Sequence, residues 1–402
     1  MKILFIQHRV FPALGGSEKH TCLLSKYLSL KGHNVEIFTS TSLKKDDLLS
    51  FSLSYPFIKK PKNIAHVQPD EIISGIKIKR YEIKFRFWSF LWIPDMNNDI
   101  KKNLDKFDII HSHGYTLSYS LIACYYAKKK SKPFILTAHD IIISQELPIE
   151  AKIFKKLYDI TFGKYLLKNS ERLIALTDDQ IPQYLASGAP IDKIRIVPNG
   201  IELEKFLKVT INSSILDQFK IKENDDILLF IGRIEKYKGI QDIIKIMPEI
   251  LKIYPNLKLF IVGEDYGFKF QLIKYAKKLN ILNKIFFTGP ISEANLLQLF
   301  KRADIFVFPS KMEGFGIVLL EAMASNTLCI AYDIPSVRKV ISNGENGILI
   351  KSSDELFIKI LYYLKNIEER AEIEKKALQF VQEYDMKNII NKIENIYKEV
   401  LN

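Results

Sequence analysis

The chain has 402 residues, of which 47% are hydrophobic and 26% charged, which excludes a disordered or fibrous protein. This length suits two domains of ordinary size better than a single hydrophobic core. The net charge of +13 is unevenly distributed: residues 1–200 carry 30 Lys and Arg against 19 Asp and Glu, whereas residues 201–402 carry 29 against 27. A uniformly lysine-rich protein would not show this asymmetry, so we expect the first half to have a basic, functional surface.

Short β-type runs alternate with longer helical patterns, which is typical of parallel sheets covered by helices. The predicted strands of the first series are Lys2–Gln7, Val35–Thr39, Ile109–His111, Phe134–Thr137 and Arg172–Leu176, and its helices are Gly16–Lys31, Thr116–Lys129 and Ile149–Asn169. Proline and Asn-Gly at Val197-Pro198-Asn199-Gly200 favour a break. The strands of the second series are Ile227–Ile231, Lys258–Val262, Ile285–Thr288, Ile305–Pro309 and Leu328–Ile330, and its helices are Ile240–Tyr254, Ser292–Lys301 and Gly316–Ala324, before a long helical segment at Asp354–Leu401 interrupted near Tyr384. The sequence therefore predicts an α/β protein with two separate sheets.

The first apolar run, Met1–Ile6, is shorter than a signal peptide requires, and His8 and Arg9 end it. No stretch reaches the roughly 18 apolar residues of a membrane-spanning helix. The three cysteines lie far apart and form neither a CxxC pair nor a metal-type cluster, which fits a reducing compartment. We expect a cytoplasmic protein whose basic first half can contact the inner face of the cell membrane.

Gly15-Gly16-Ser17-Glu18 follows the first predicted strand and opens the first helix. Glycines there let the backbone approach a ligand, and the free N–H groups of a helix start favour an anion such as a phosphate. The pattern is neither GxGxxG nor a Walker loop, and a Gly-Gly turn between a strand and a helix is often only a turn.

Aromatic and basic residues alternate in the segment 84–92, which holds both tryptophans of the chain. Such a mixture suits a membrane interface, where rings lie at headgroup level and cations meet anionic lipids. A half-buried strand followed by a loop that caps the core is the alternative. The interface candidates are Lys84, Phe85, Arg86, Phe87, Trp88 and Trp92.

Two histidine motifs follow predicted strands of the first series: His111-Ser112-His113-Gly114 and Thr137-Ala138-His139-Asp140. We take His111 and His113 as acceptor-side candidates. A His-x-His pair can bind a metal, but the sequence has neither a carboxylate cluster nor a D-x-D motif, so no metal site is predicted. A single histidine is more often structural, and His139 beside Asp140 is the stronger functional candidate.

In the second series, Gly232-Arg233 ends a strand, and Lys238-Gly239 follows five residues after the arginine. A strand end followed by a helix start places both cations at the carboxyl edge of a parallel sheet. A guanidinium and an ammonium there match a diphosphate without a metal. Two solvated cations on a loop are the alternative in a chain this rich in lysine.

The segment from Glu313 to Glu321 is the most specific pattern of the sequence. Glu313 precedes a Gly-Phe-Gly turn, and Glu321 lies eight residues later, a little over two helical turns, on a similar side of an apolar helix. A carboxylate at a core-facing position needs a partner, and ribose hydroxyls would serve. The N–H groups at Gly316 would suit a phosphate.

As an ordered set, these motifs resemble the retaining glycosyltransferases of family 4, the "glycosyl transferases group 1", which have the GT-B fold. The resemblance covers nearly the whole chain and includes Val197–Ile201 and Val262-Gly263-Glu264. It implies two Rossmann-like domains facing across a cleft: an acceptor-binding domain at 1–196, onto which a C-terminal helix at 383–402 packs back, and a donor-binding domain at 197–382. Asp265 and Tyr266 follow where a small glycine is common, so the resemblance does not define the donor contacts there.

By resemblance, Arg233 and Lys238 hold the donor diphosphate and stabilise the leaving group, and His139 contacts the sugar near the anomeric carbon. Glu313 acts either as a nucleophile or, as we prefer, in positioning the donor. The catalytic candidates are thus Glu313, His139, Arg233 and Lys238. The implied donor-binding residues are Gly15, Gly16, Arg233, Lys238, Glu313, Phe315, Gly316, Ile317 and Glu321.

The expected function is transfer of a sugar from a UDP- or GDP-sugar to a hydroxyl of a glycan or lipid-linked acceptor in the synthesis of cell-surface glycans or glycolipids, with no divalent metal and no other cofactor. A sugar-nucleotide epimerase of the same fold is one alternative. A non-catalytic GT-B scaffold that binds lipid or nucleic acid is another. The intact set of Arg233, Lys238, Glu313 and Glu321 argues against the scaffold, and the absence of an RNA-binding signature argues against nucleic acid as a partner.

Overall fold

The chain divides into two units, residues 1–200 with 386–402 and residues 201–385. A computed structural model describes residues 1–12, 15–42, 68–73, 75–87, 90–139, 149–210 and 214–402. Each unit contains a parallel sheet with connecting helices, as the alternating sequence pattern predicts.

The first unit contains an eight-stranded sheet and a separate two-stranded hairpin. Its strands are β1 (Lys2–Ile6), β2 (Asn34–Ser40), β3 (Asp70–Ile73), β4 (Ile76–Tyr81), β5 (Phe85–Phe87), β6 (Phe90–Trp92), β7 (Ile109–His113), β8 (Phe134–Thr137), β9 (Arg172–Ala175) and β10 (Ile194–Ile196). The order in the large sheet is β10-β9-β8-β7-β1-β2-β4-β3, and only the edge strand β3 runs antiparallel to its neighbour. The direction of winding reverses between β1 and β7, which is where ligands bind in open α/β sheets.

The helices of this unit include the three predicted ones, at similar positions, and two that the sequence pattern did not predict, at 94–103 and 181–186. They are α1 (Gly16–Leu30), α2 (Pro94–Asn103), α3 (Ser118–Lys129), α4 (Ile149–Tyr158), α5 (Lys164–Asn169) and α6 (Ile181–Ala186). The continuous helix predicted over 149–169 is interrupted by a π-helical turn at Asp159–Gly163. The tyrosine at 115 packs there, since a Cβ on Gly163 would lie 2.0 Å from its hydroxyl.

The second unit is a six-stranded parallel sheet in the order β13-β12-β11-β14-β15-β16. Its strands are β11 (Ile227–Ile231), β12 (Lys258–Val262), β13 (Ile285–Gly289), β14 (Ile305–Phe308), β15 (Leu328–Tyr332) and β16 (Ile348–Ile350). Counted from β11, this is the order 3-2-1-4-5-6 of dinucleotide-binding sheets, which reverses between β11 and β14. Its helices are α7 (Leu203–Leu207), α8 (Ser214–Gln218), α9 (Ile240–Ile253), α10 (Lys269–Lys278), α11 (Glu293–Arg302), α12 (Ile317–Ala324), α13 (Pro335–Arg338), α14 (Ser353–Lys365) and α15 (Ile367–Val381).

The last helix, α16 (Met386–Leu401), belongs to the first unit. Its buried stripe of Ile389, Ile390, Ile393, Ile396 and Tyr397 joins the core that also contains β1 and α1. A Cβ on Gly200 would lie 2.7 Å from the sulfur of Met386, so glycine is needed for this close approach. Glu399 pairs with Arg172 and Arg195 at 2.7 and 2.6 Å and fixes the other end of the helix.

None of the helices in the described ranges combines the length and apolar character needed to cross a bilayer.

Candidate functional site

Two loops meet at the switch point of the second sheet: residues 232–239 after β11 and residues 309–316 after β14. The N–H of Lys311 donates to the carbonyl of Tyr237 at 2.9 Å. Gly239 has φ +73°, and a Cβ there would lie 2.0 Å from the carbonyl oxygen of Pro309. Only glycine therefore allows the two loops to pack this closely.

Lys238 and Glu313, one from each loop, form an ion pair between Nζ and Oε1. Their side chains are only 8% and 15% exposed. The ammonium also lies 5.6 Å from the ring centre of Phe308. A buried ammonium is costly without a counter-charge, and the carboxylate of Glu313 supplies one. The structure thus brings together two residues that lie 75 positions apart in the sequence.

Arg233 lies on the same edge, held by two tyrosines. Its Nη2 donates to the hydroxyl of Tyr237 at 2.7 Å, and its guanidinium carbon lies 5.3 Å from the ring centre of Tyr266. Nη1 is 3.6 Å from the carboxylate of Glu235. These contacts restrict the guanidinium while 40% of the side chain stays exposed and accessible to a ligand. The sequence did not indicate either tyrosine, although Tyr237 follows Arg233 at a spacing that a single helical turn brings together.

Residues Asp265 and Tyr266, which depart from the common family pattern, have structural roles. The Asp265 side chain accepts the N–H groups of Gly267, Phe268 and Lys269 at 2.9 to 3.0 Å and so caps the start of α10. Tyr266 supplies the ring beneath Arg233.

Helix α12 begins at the same edge, immediately after Gly316 in the left-handed conformation at φ +81°. Gly316 has no side chain to cap the first turn, and the N–H of Leu319 donates to the Gly316 carbonyl at 2.9 Å. The N–H groups of Ile317 and Val318 are therefore the candidates for contact with an anion. Phe315 is 4% exposed, and Ile317 is the first residue of the helix. Glu321 is 4% exposed, which confirms the core-facing position expected from its spacing; its role towards a ribose stays a prediction.

In the first unit, Glu18 organises the glycine turn after β1. The carboxylate is buried, pairs with Arg9 at 2.8 Å and accepts the Ser17 hydroxyl at 2.8 Å. A Cβ on Gly15 would lie 2.2 Å from this carboxylate, so glycine leaves room for it. Gly16, the first residue of α1, is exposed. Contact of Gly15 and Gly16 with a donor stays a prediction.

Four histidines from one helix, one strand and one loop form a cluster at the carboxyl edge of the first sheet. His113 Nδ1 lies 2.9 Å from His139 Nε2, and the two rings stack at 5.2 Å. The rings of His111 and His113 stack at 4.5 Å, and His20 of α1 approaches both His113 and His139 edge-on. Three of them are buried, and His139 is half-buried.

Burial keeps this cluster neutral. It lowers the pKa of His111 to about 3 and holds the pKa of His20 and His113 well below the usual value. Each ring also disfavours a charge on its neighbours. Within the described ranges, His113 Nε2 and His20 Nδ1 have no hydrogen-bond partner.

The acceptor-side role predicted for His111 does not fit this geometry. Its side chain is fully buried, Nδ1 lies 2.7 Å from the hydroxyl of Tyr397, and Nε2 lies 2.8 Å from that of Thr137. Nδ1 therefore links the sheet to α16, and Nε2 links β7 to the neighbouring strand β8. His113 is equally buried, so His139 is the member of the cluster best placed to meet a ligand. Asp140, its predicted neighbour, lies outside the described residues.

The histidine cluster predicts acid sensitivity of the first unit. Since the folded-state pKa values lie below the unfolded value of about 6.5, the unfolded chain binds more protons, and stability falls as the pH drops below 6.5 towards 3. Each histidine contributes a slope of about 1.4 kcal/mol per pH unit. Glu374, whose pKa burial raises to about 7, acts in the opposite direction between pH 7 and 4.5. Burial also raises the pKa of Glu171 in the first unit and of Asp226 in the second. We expect the three histidines to outweigh these carboxyl groups between pH 6.5 and 5, because ordinary carboxyl pKa values lie below this range.

Urea unfolding followed by tryptophan fluorescence tests this, because both tryptophans lie in the first half of the chain. We expect the unfolding free energy to decrease between pH 6.5 and 5, and His113→Gln to reduce this dependence. An unfolding free energy that is the same at both pH values would contradict neutral burial.

No group of three His, Cys, Asp or Glu side chains in the described ranges is arranged to hold a metal ion.

The aromatic hairpin, β5 and β6, exposes Phe85, Phe90 and Trp92 at 37%, 45% and 46%, and Lys84 pairs with Glu82. Trp88 lies outside the described residues, as do the side chains of Arg86 and Phe87. The membrane role of this segment stays a prediction.

Two parallel α/β sheets, the second with its cation-bearing loops at the switch point, define the protein as one of the GT-B fold class. The solved structure of HepE from Anabaena in complex with UDP and glucose is similar in fold, with a TM-score of 0.77 and 17% identity over 99% of this chain and 100% of that one.

Two family models match the chain: "Glycosyltransferase Family 4" over residues 14–205 and "Glycosyl transferases group 1" over residues 212–380. The chain belongs to this family of glycosyltransferases, as the motifs predicted. An uncharacterised glycosyltransferase of Methanocaldococcus jannaschii is 26% identical over 100% of this chain and 99% of its own length. A phosphatidyl-myo-inositol mannosyltransferase of Mycolicibacterium smegmatis is 24% identical over 100% of this chain and 94% of its own length.

Proposed function

We propose that the protein is a retaining glycosyltransferase that moves a sugar from a nucleoside-diphosphate sugar, UDP- or GDP-linked, to a hydroxyl of a glycan or lipid-linked acceptor. The observation that carries this proposal is the convergence of Arg233 and Lys238, supported by Glu313, at the switch point of a sheet with dinucleotide-binding order. Two cations and the first turn of α12 on one edge suit a diphosphate.

The difficult step is departure of the nucleoside diphosphate from a sugar carbon that develops positive charge. Arg233 and Lys238 lower this barrier because they are already oriented where negative charge grows on the departing phosphate. In this mechanism the two cations neutralise the leaving group, so transfer requires no divalent metal.

Glu313 positions the donor and Lys238 in this mechanism. Its carboxylate is engaged with the ammonium, and a carboxylate that is neutralised in this way is a poorer nucleophile. When a donor binds, the phosphate oxygens share Lys238 with Glu313, and the ion pair keeps the ammonium in place beforehand. The acceptor hydroxyl then attacks from the face that the diphosphate leaves, its proton passes to a departing phosphate oxygen, and the sugar retains its configuration.

Two comparisons support the substrate classes. The structure of HepE contains UDP and glucose, which favours a nucleotide sugar as donor. The name of the mycobacterial relative includes a phosphatidyl lipid, phosphatidyl-myo-inositol, which favours a lipid-linked hydroxyl among the possible acceptors. These two comparisons support a role in the synthesis of cell-surface glycans or glycolipids.

A thermal-unfolding screen with nucleotides and nucleotide sugars tests the donor assignment. A ligand present at 100 times its Kd stabilises the folded state by about 2.7 kcal/mol. We expect a UDP- or GDP-sugar, and the matching free diphosphate, to raise the midpoint, and the matching monophosphate to raise it less. EDTA should leave the shift unchanged. If no nucleoside diphosphate shifts the midpoint, or if EDTA abolishes the shift, the assignment is wrong.

A further inference from the structure

Helix α4 and the turn that follows it present large apolar side chains to solvent. The exposed fractions are 62% for Ile153, 47% for Phe154, 54% for Leu157, 63% for Ile160 and 58% for Phe162. Ile153, Leu157 and Ile160 follow the spacing of one helix face. We call these five residues the α4 face. A cluster of this kind on a folded protein marks an interaction surface.

Polar contacts on the opposite side of the same segment fix the outward direction of the α4 face. Lys155 is buried and pairs with Asp159 at 2.6 Å, and the hydroxyl of Tyr115 donates to Asp159 at 2.9 Å. The hydroxyl of Tyr158 donates to the carbonyl of Tyr115 at 2.6 Å. Rotating the helix to bury its apolar side would therefore break a buried ion pair and its hydrogen bonds, which is costly.

Positive charge surrounds the α4 face. Of the described side chains between residues 152 and 168, five are lysines and one is an acid, the inward-facing Asp159. Lys156 and Lys164 are exposed beside the apolar residues. Two copies of this face would bring like charges together, so self-association is disfavoured, whereas an anionic surface is attracted.

The aromatic hairpin and α4 are held by neighbouring residues between the end of β7 and the start of α3. The hydroxyl of Ser118 donates to the carbonyl of Leu91 at 2.7 Å, and the N–H of Leu91 donates back to that hydroxyl at 3.0 Å. Ser118 lies three residues after Tyr115, which holds α4. Both exposed apolar elements therefore flank residues 114–118, directly after β7.

We propose that the α4 face and the aromatic hairpin together form a docking surface for an anionic lipid bilayer. The apolar side chains enter the headgroup region while Lys156 and Lys164 pair with lipid phosphates, as in interfacial amphipathic helices. The surface surrounds the loop at the carboxyl edge of β7, so docking would bring the edge of the first sheet that carries the histidine cluster to the bilayer. This inference does not depend on the identity of the donor or the reaction.

Vesicle sedimentation of the full chain, without any nucleotide sugar, tests the docking surface. We expect binding to vesicles of phosphatidylcholine mixed with phosphatidylglycerol, weaker binding to phosphatidylcholine alone, and loss of binding at high salt. The triple variant Ile153→Asn/Leu157→Asn/Ile160→Asn should bind roughly tenfold or more weakly. Lys156→Gln/Lys164→Gln should weaken binding about fivefold per lysine at low salt.

Matched substitutions elsewhere distinguish binding through this surface from nonspecific adsorption to vesicles. Ile253→Asn/Phe270→Asn/Ile367→Asn removes three apolar residues of the second unit that are 60%, 74% and 60% exposed, and Lys375→Gln/Lys376→Gln removes two exposed lysines. Both controls should bind as the unchanged protein does, and thermal unfolding checks that every variant is folded.

The proposal is overturned if the unchanged protein does not sediment with vesicles, or if the matched controls lose vesicle binding as much as the α4 variants do. It is also overturned if the protein binds no vesicles and instead forms a dimer in light scattering that the α4 triple variant abolishes. Tryptophan emission gives a separate test of the hairpin, because both tryptophans of the chain lie between residues 85 and 92. Anionic vesicles should shift this emission to shorter wavelength, and an unchanged spectrum would remove the hairpin from the surface.

Discussion

Replacing Arg233 by Ala is expected to lower kcat about 10²–10³-fold, which is the typical loss when one preorganised group that stabilises developing charge is removed. Stability should change less than activity, since 40% of the Arg233 side chain is exposed and its nearest carboxylate, that of Glu235, lies 3.6 Å away. Lys236→Ala is the matched control, because this exposed lysine lies in the same short helical turn as Lys238. Retention of full activity by Arg233→Ala would refute the diphosphate assignment.

Lys238→Ala should cause a similar loss of kcat, but the structure adds a cost that the sequence alone did not indicate. The substitution leaves Glu313 without its partner in a site where the carboxylate is only 15% exposed, and breaking a buried pair costs about 3–5 kcal/mol. The double variant Lys238→Met/Glu313→Gln should recover most of this stability without recovering activity. If it recovered activity as well, Lys238 would act only as a structural partner of Glu313.

The regular elements of both sheets were predictable from sequence because parallel strands buried on both faces read as short apolar runs. All ten predicted strands are present, three with the same boundaries and the others within two residues. The interruption of the helix at Asp159–Gly163 was not predictable, because it depends on Tyr115, which lies more than 40 residues earlier and packs against Gly163. Long-range packing of this kind leaves no periodic signal in the segment that it distorts.

In the candidate site too, the positions of residues were predictable from sequence, whereas the contacts between loops were not. Arg233, Lys238, Glu313 and Gly316 were accessible from sequence because residues after parallel strands converge at one edge. The ion pair between Lys238 and Glu313 and the tyrosine support of Arg233 were not, since they depend on how two loops pack. His111 shows what sequence position alone leaves out: it lies in a motif that resembles a ligand-binding one, yet its buried ring contacts Tyr397 of α16 through Nδ1 and Thr137 of β8 through Nε2.

The exposure of the α4 face was also not predictable from the sequence. Its apolar residues have normal helical spacing, which predicts a side packed against the sheet. Only the structure shows that the ion pair of Lys155 with Asp159 occupies the inner side instead. A buried charge pair thus reverses the usual orientation of an amphipathic helix, and hydrophobic periodicity cannot reveal this.

Gly239→Ala is expected to have the largest effect on the second unit. The left-handed φ of +73° costs an alanine about 1 kcal/mol, and its Cβ would stand 2.0 Å from the carbonyl oxygen of Pro309, a backbone atom that cannot move alone. The loops 232–239 and 309–316 must then separate, which withdraws Lys238 from Glu313. We therefore expect a loss of both stability and kcat.

Gly344→Ala isolates the contribution of the close approach. Gly344 has φ +80°, almost the same backbone conformation as Gly239, but a Cβ added there would meet no atom within 4 Å. This variant should therefore lose only the strain energy of about 1 kcal/mol, which corresponds to a fall of about 2–4 °C in Tm. Gly239→Ala should lower the Tm of the second unit by at least three times as much, measured by calorimetry. Because the tryptophans lie in the first half, their fluorescence should change little in either variant. Equal Tm shifts in the two variants would mean that the loops can separate at no cost and that their contact does not organise the site.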